Sequence, residues 1–291
     1  MEYWPPGMTT QGTEIERPDV QEFAAGMSRD ARTRFAAADI RDGLRLWRLA
    51  WSLGWMDIRL RYRGSVLGPF WLTISTGAMV VSLGVLYSTL FHMELREYLP
   101  YLALSQVLWT FLATLVGEAC TVFTDAESVI RSVRMPFFLF ATRVLVRNVL
   151  VLGHNTVVVA AAFAVLGVWP GAHALAVLPA LPLWIADALA LALLLGGVCA
   201  RFRDIPPIVA SVMQIAFFLT PVIWKPEQLG AAANWLWLNP FFDVLEIVRA
   251  PLLGQAAPLS VWAGAVAYSL ALCAAAWVFF VRARGRIAFW I

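Results

Sequence analysis

Asp187 sits near the middle of an apolar run from Leu175 to Ala200, where a carboxyl group is expensive to keep. Ionisable residues at such depth mark proton or ion paths, or bond to a neighbouring helix. Glu118, His154 and Asn155 are the other polar residues singled out in or beside long apolar runs. One reading makes Asp187 the proton carrier of a secondary transporter. The other makes it a packing residue, bonded to a neighbour or kept protonated. A relay needs a chain of such groups, and few are present.

No hydrolytic centre is spelled out. A P-loop requires GxxxxGK[ST], whose lysine reaches the phosphates. The one lysine here is Lys225, which follows Trp224 and belongs to no such pattern. GxSxG and HExxH are absent, so the usual nucleophile and zinc motifs are missing. His92, His154 and His173 fall in separate segments, which argues against a three-His metal site. Cys120, Cys199 and Cys273 are widely spaced in or beside apolar runs, where cysteine behaves as a small hydrophobe. The expectation is a chain that is no enzyme and holds no cofactor or metal, with any ATP hydrolysed by a separate partner. No nucleic-acid partner is expected.

Charge and aromatic patterns offer binding instead. Arg59, Arg61 and Arg63 cluster ahead of the first long apolar run, and Arg143 and Arg147 stand four apart, on one helical face. Guanidinium groups contact phosphate bidentately. Positive-inside charge that reaches to lipid phosphates is the alternative. Between Phe123 and Pro136, Val129, Ile130 and Val133 form an apolar stripe beside Arg131 and Arg134. That suits a short helix docking in a groove of a soluble subunit, or a solvated connector. Thr73, Gly77, Val80, Gly84, Tyr87 and Phe91 recur at helical spacing, and small residues there permit close helix packing or a lumen wall. Together with Trp109, Phe217, Phe218 and Trp224 they form the candidate channel lining. An aromatic belt facing lipid is the competing reading.

The elements that would position these residues form an all-α polytopic membrane protein. Hydrophobic residues make up 60% and charged residues 14% of the 291, against roughly 45–50% and about 25% in soluble domains. That excess does not fit inside one soluble core and is explained by lipid as solvent. A crossing needs ~20 residues at 1.5 Å rise. Six transmembrane helices are expected, at about 66–91, 99–122, 149–168, 175–200, 205–223 and 259–281. Each must be helical, because lipid offers its backbone no hydrogen-bond partner. With the N-terminus inside, only Arg96, Lys225 and Arg249 of the 22 basic residues fall outside, so both termini are expected to be cytoplasmic.

Residues 1–39 read as a polar cytoplasmic tail without an apolar signal region. Residues 40–63 read as an amphipathic interfacial helix, with Ile40, Leu44, Trp47, Trp51, Trp55 and Ile58 striped beside Arg41, Arg45 and Arg48. Residues 64–291 make the transmembrane domain. Between the last two spans, segments at about 226–237 and 241–253 are too short to cross. Asn239-Pro240 punctuates them as a turn. They are expected to be re-entrant or interfacial, as a lid at the outer mouth.

The stretch Asp57 to Trp71 carries Arg61, Tyr62, Ser65, Leu67, Gly68 and Trp71. Arg201-Phe-Arg-Asp-Ile205 precedes Phe217-Phe-Leu-Thr-Pro-Val-Ile-Trp224, and Leu238-Asn-Pro-Phe241 precedes Arg249. From about Leu46 onward the chain resembles the permeases of bacterial type-2 ABC exporters for O-antigen, capsule and teichoic acid. The resemblance implies a homodimer in the inner membrane, among membrane lipids, with two ATP-binding subunits that hold ATP and Mg²⁺. It implies a channel for a glycan on undecaprenyl diphosphate. Val129, Ile130 and Val133, with Arg131 and Arg134, would then take the push of the ATPase. Arg59, Arg61, Arg63, Arg143 and Arg147 would meet the carrier diphosphate at the inner mouth, and the channel aromatics would stack on apolar sugar faces. Another cargo, such as capsule, teichoic acid, a drug or a lipid, is the alternative.

Overall fold

A computed structural model describes residues 28–65, 68 and 70–291. Most of the expected polar tail, and Val66, Leu67 and Pro69 of the first family-like stretch, lie outside the described residues. Within them all regular structure is helical: α1 (Arg29–Arg45), α2 (Trp47–Arg61), α3 (Phe70–Leu90), α4 (Leu95–Thr121), α5 (Glu127–Ser132), α6 (Phe137–Leu166), α7 (Val177–Arg201), α8 (Ile205–Leu219), α9 (Pro240–Leu252) and α10 (Leu259–Trp290). Two 3₁₀ segments, Ala172–Ala176 and Pro226–Leu238, precede α7 and α9.

Five helices are long and apolar enough to cross a membrane, namely α3, α4, α6, α7 with its leading turn, and α10. The sixth expected span is α8, whose 15 residues reach only ~22 Å at 1.5 Å each, short of the ~30 Å hydrocarbon core. Two spans run further than hydropathy indicated. α6 starts at Phe137 rather than Val149, and α10 continues to Trp290. Hydropathy stops at charges, whereas a helix continues wherever those charges find partners.

Local signals set the ends. The Ser28 hydroxyl caps α1 by accepting from the Ala31 N–H at 3.2 Å. Gly167, at φ 70°, ends α6 in the left-handed conformation that glycine adopts without a Cβ clash. Asn239 and Pro240 open α9: the Asn side chain accepts from the Phe241 N–H at 3.0 Å, and Pro occupies the first helical position.

α4 is the central helix, buried along most of its length, and it packs against α3, α6, α7 and α8. The amphipathic segment is two helices rather than one, because the chain breaks at Leu46, and helical structure begins at Arg29, inside the segment read as tail. Its inward face is not the tryptophan stripe. Ala36, Gly43, Ala50, Gly54 and Ile58 are buried, while Trp47, Trp51 and Trp55 stay about half exposed. A Cβ on Gly54 would lie 2.9 Å from Val146 Cγ1, so only glycine lets α2 approach α6 this closely.

Candidate functional site

The bundle has an arginine-rich end, where α4 finishes and α6 begins, and an opposite end, where α4 begins. At the arginine-rich end Asp57 of α2 accepts from Arg143 Nε at 2.7 Å and from Arg143 Nη2 at 2.5 Å. Arg147, one turn on, reaches the same carboxylate at 3.3 Å and Glu118 of α4 at 2.8 Å. Asn148 Nδ2 donates to Glu118 at 2.6 Å, and Arg61 reaches it at 3.1 Å. Two carboxylates thus bind three guanidinium groups across α2, α4 and α6. Arg147 and both acids are largely shielded, which makes these charge-assisted bonds stronger than surface pairs. The four-residue spacing of Arg143 and Arg147 does put both on one face, and that face meets protein carboxylates. Arg59 and Arg63 are exposed.

A second tie joins three helices there. Asp39 of α1 is buried and accepts from the Phe138 N–H at 3.0 Å and the Phe137 N–H at 3.2 Å. These are the first free amides of α6, so a residue nearly a hundred positions away acts as its N-cap. Arg284 of α10 donates to the same carboxylate at 2.7 Å. Asp39 sits in the segment read as tail, and nothing in its neighbours' periodicity signals this role.

At the opposite end α8 stops at Leu219, the Thr220 N–H still donates to the Ala216 carbonyl, and the chain continues without helical bonding through Pro221–Trp224. Its carbonyls still find donors. The Tyr98 hydroxyl donates to the Ile223 carbonyl, and the Tyr101 hydroxyl donates to Pro221 at 2.8 Å and Trp224 at 3.0 Å. Arg249 of α9 also donates to the Pro221 carbonyl, and to the Ser105 hydroxyl at 3.0 Å. Its Nε holds Glu246 at 2.8 Å, and its guanidinium lies 4.6 Å from the centre of the Tyr101 ring. Arg249 is 1% exposed, so the cation is sustained by these partners alone. Arg249 is therefore the hub joining α4, α9 and the broken end of α8.

The family described as "ABC-2 type transporter" matches residues 48–253. The chain belongs to that family. The matched segment runs from α2 through α9 and so contains both the Asp57–Glu118 network and the Arg249 hub. Asp39 and Arg284 lie outside it. A similar protein is the O-antigen export system permease protein RfbA of Myxococcus xanthus, 26% identical over 206 residues, covering 68% of this chain and 78% of that one. As an ABC-2 transporter chain without a P-loop, it reads as a transmembrane component.

The predicted channel residues of this ABC-2 chain are mostly packed against its own helices. Thr73 donates to the His154 carbonyl at 3.2 Å, and a Cβ on Gly84 would lie 2.4 Å from Leu99 Cδ1. Gly77 faces Val158. Of these small residues, Gly84 is the one whose lack of a Cβ permits close packing within the chain. Tyr87 stacks on Phe91 with centroids 5.4 Å apart, and Phe91 meets Tyr98 edge-on. Trp109 is buried between Phe217 and Phe241, at 5.7 and 5.6 Å. Phe218 remains exposed, and the Trp224 indole donates to its carbonyl at 3.0 Å.

The apolar stripe at α5 divides. Val129 and Ile130 pack on the core, while Val133 caps the helix and is exposed. Arg131 pairs with Glu127 at 2.9 Å and donates to the Ile291 carbonyl at 2.5 Å. Arg134 lines the cleft between α1, α5 and α10. The buried polar residues also separate. Asp187 accepts from Ser269 of α10 at 2.8 Å, Asn155 from Thr76 of α3 at 3.2 Å, and Glu118 binds α2 and α6. His154 Nδ1 bonds to the Leu150 carbonyl of its own helix. Asp187, Asn155 and Glu118 thus each fasten different helices together, while His154 bonds within α6.

Proposed function

We propose that this chain is the passage subunit of an ATP-driven exporter of lipid-linked polysaccharide. It works as a homodimer with two copies of a separate ATP-binding subunit in a bacterial inner membrane. The observation that carries the reading is membership of the ABC-2 family in a sequence that encodes no P-loop. The likeness to an O-antigen export permease supports the cargo class.

In this reading α8 makes the sixth crossing. It starts four residues after α7 at the arginine-rich end, and its irregular extension ends beside Tyr98 and Tyr101 at the other. Irregular backbone at membrane depth is tolerated where protein donors satisfy it, as the two tyrosines and Arg249 do here. Six crossings return Arg282, Arg284 and Arg286 to the side of Arg59 to Arg63, the cytoplasm by charge bias.

Force from the ATPase enters at α5. Ser132 ends α5 and Val133 follows it, both exposed, and Arg131 and Pro136 pass the load to α10 and to the α6 cap. The cleft of about 670 Å³ between α1, α5 and α10 lies beside that entry point. Arg59 and Arg63 meet the carrier diphosphate; Arg61, Arg143 and Arg147 hold α2 so that they can. The apolar faces left bare on α3 and α8, with Phe218, are available to the second copy and the glycan.

The test is reconstitution of the chain in vesicles, with and without its ATP-binding subunit, and an undecaprenyl-diphosphate oligosaccharide inside. Export should require both ATP and the subunit. Transport driven by a proton gradient alone, and lost in Asp187→Asn, would replace this reading with secondary transport.

A further inference from the structure

Asp243 stands in the first turn of α9, fully buried, and neither of its carboxyl oxygens has a hydrogen-bond partner. It is pressed against Gly264 of α10: a Cβ there would lie 2.1 Å from Oδ2. The glycine is what admits the carboxyl between the helices. Polar groups on α9 and on the helices packed against it are committed elsewhere. The Trp184 indole of α7 donates to the Val244 carbonyl at 2.9 Å, and the Tyr268 hydroxyl of α10 donates to Leu238 at 2.9 Å. Asp187 of α7 is bound to Ser269, Tyr101 of α4 to Pro221, and Arg249 of α9 to Glu246. His173 and Glu227 sit on the two 3₁₀ segments that flank α9 and make no bond to Asp243.

We infer that Asp243 is a proton-operated latch: α9 stays seated on α10 while the carboxyl keeps its proton, and ionisation loosens the seat. A neutral acid is tolerable in an apolar seam, whereas an unpaired carboxylate there is not. Burial, aided by the charge of Glu246, pushes Asp243 up to about 7 from its ordinary 3.8. The seated form therefore holds more protons than the loosened one. The seat is firmest below the ordinary carboxylate range, weakens as pH rises toward about 7, and changes no further above that. Because the latch acts on α9, it also acts through Arg249 on the broken end of α8.

The test is amide hydrogen exchange of the full-length chain in lipid nanodiscs at a series of pH values from 5 to 8. Protection of α9 amides is divided by that of the buried α4 amides in the same sample, which cancels the intrinsic pH dependence of exchange. The ratio should fall by approaching tenfold per pH unit up to about 7 and then level off. Asp243→Asn and Asp243→Leu should both give a flat ratio, so one serves if the other does not fold. Gly264→Ala should shrink the slope by displacing the carboxyl toward water. A flat wild-type ratio, or an unchanged slope in either Asp243 variant, would overturn the latch.

Discussion

Asp39→Ala should undock α1 while leaving the rest of the bundle folded. The carboxylate binds two backbone amides and one guanidinium, with distances of 3.0, 3.2 and 2.7 Å. Loss of an N-cap costs about 0.5–2 kcal/mol. Loss of a hydrogen bond to a charged group costs about 1.5–3 kcal/mol. The Arg284 side chain is 23% exposed and can partly rehydrate, so the lower part of that second range applies. With the Phe138 amide left buried, the total is about 3–5 kcal/mol, the range for removing one partner of a buried pair. At 1.4 kcal/mol per factor of ten this is a loss of about a hundredfold or more in the docking equilibrium.

Hydrogen exchange over residues 31–45, with α4 as the internal reference, reads that loss directly. Asp39→Asn keeps an acceptor and should lose about half as much free energy. A cycle with Arg284→Met should give a coupling of at least about 1 kcal/mol. An Ala variant that changes α1 protection by less than about threefold would refute the reasoning, since the cap and the ion pair would then both be worth almost nothing.

Gly196→Ala would place a Cβ 2.2 Å from Val122 Cγ1 and should cost about 1–3 kcal/mol of thermal stability. Gly153→Ala, with nothing within 4 Å, should instead be neutral or gain about 0.5–1 kcal/mol. Arg249→Met strands the Glu246 carboxylate, so about 3–5 kcal/mol should be lost. Arg249→Lys should fail to restore it, because one ammonium does not reproduce the fork. Val133→Asp, at an exposed position, should lower partner-dependent ATP turnover with little change in melting temperature. Ile130→Asp, partly packed on the core, should lower the melting temperature as well.

The candidate sites were legible in unequal measure. Arg143 and Arg147 stand out by spacing, and Arg249 by its place in a family-like stretch, yet neither signal names a partner. Their acids are 86 and 29 residues away for Asp57–Arg143 and Glu118–Arg147, and a local pattern carries no information at that range. The α5 stripe is correct as periodicity. It misleads as a surface because the helix is only six residues long and ends at Ser132, before Val133 can join its face. The small residues of α3 permit two readings, and only the position of α4 shows that Gly84 serves a close approach. The tryptophans of α2 stand out as a stripe beside the arginines. The buried side is instead drawn by Ala50 and Gly54, which hydropathy ranks low.

What the sequence settles alone is the solvent and the kind of backbone. An apolar excess of this size requires lipid, and lipid requires helices. Those conclusions rest on composition and on local backbone chemistry, which any window of residues can express. The pairing of Asp39 with the start of α6, the sharing of Asp57 and Glu118 among arginines, the clasp of Arg249 on the end of α8 and the bare burial of Asp243 depend on which helices lie side by side. Free energy is set there by burial and by partners brought from far along the chain, and only the folded arrangement decides both.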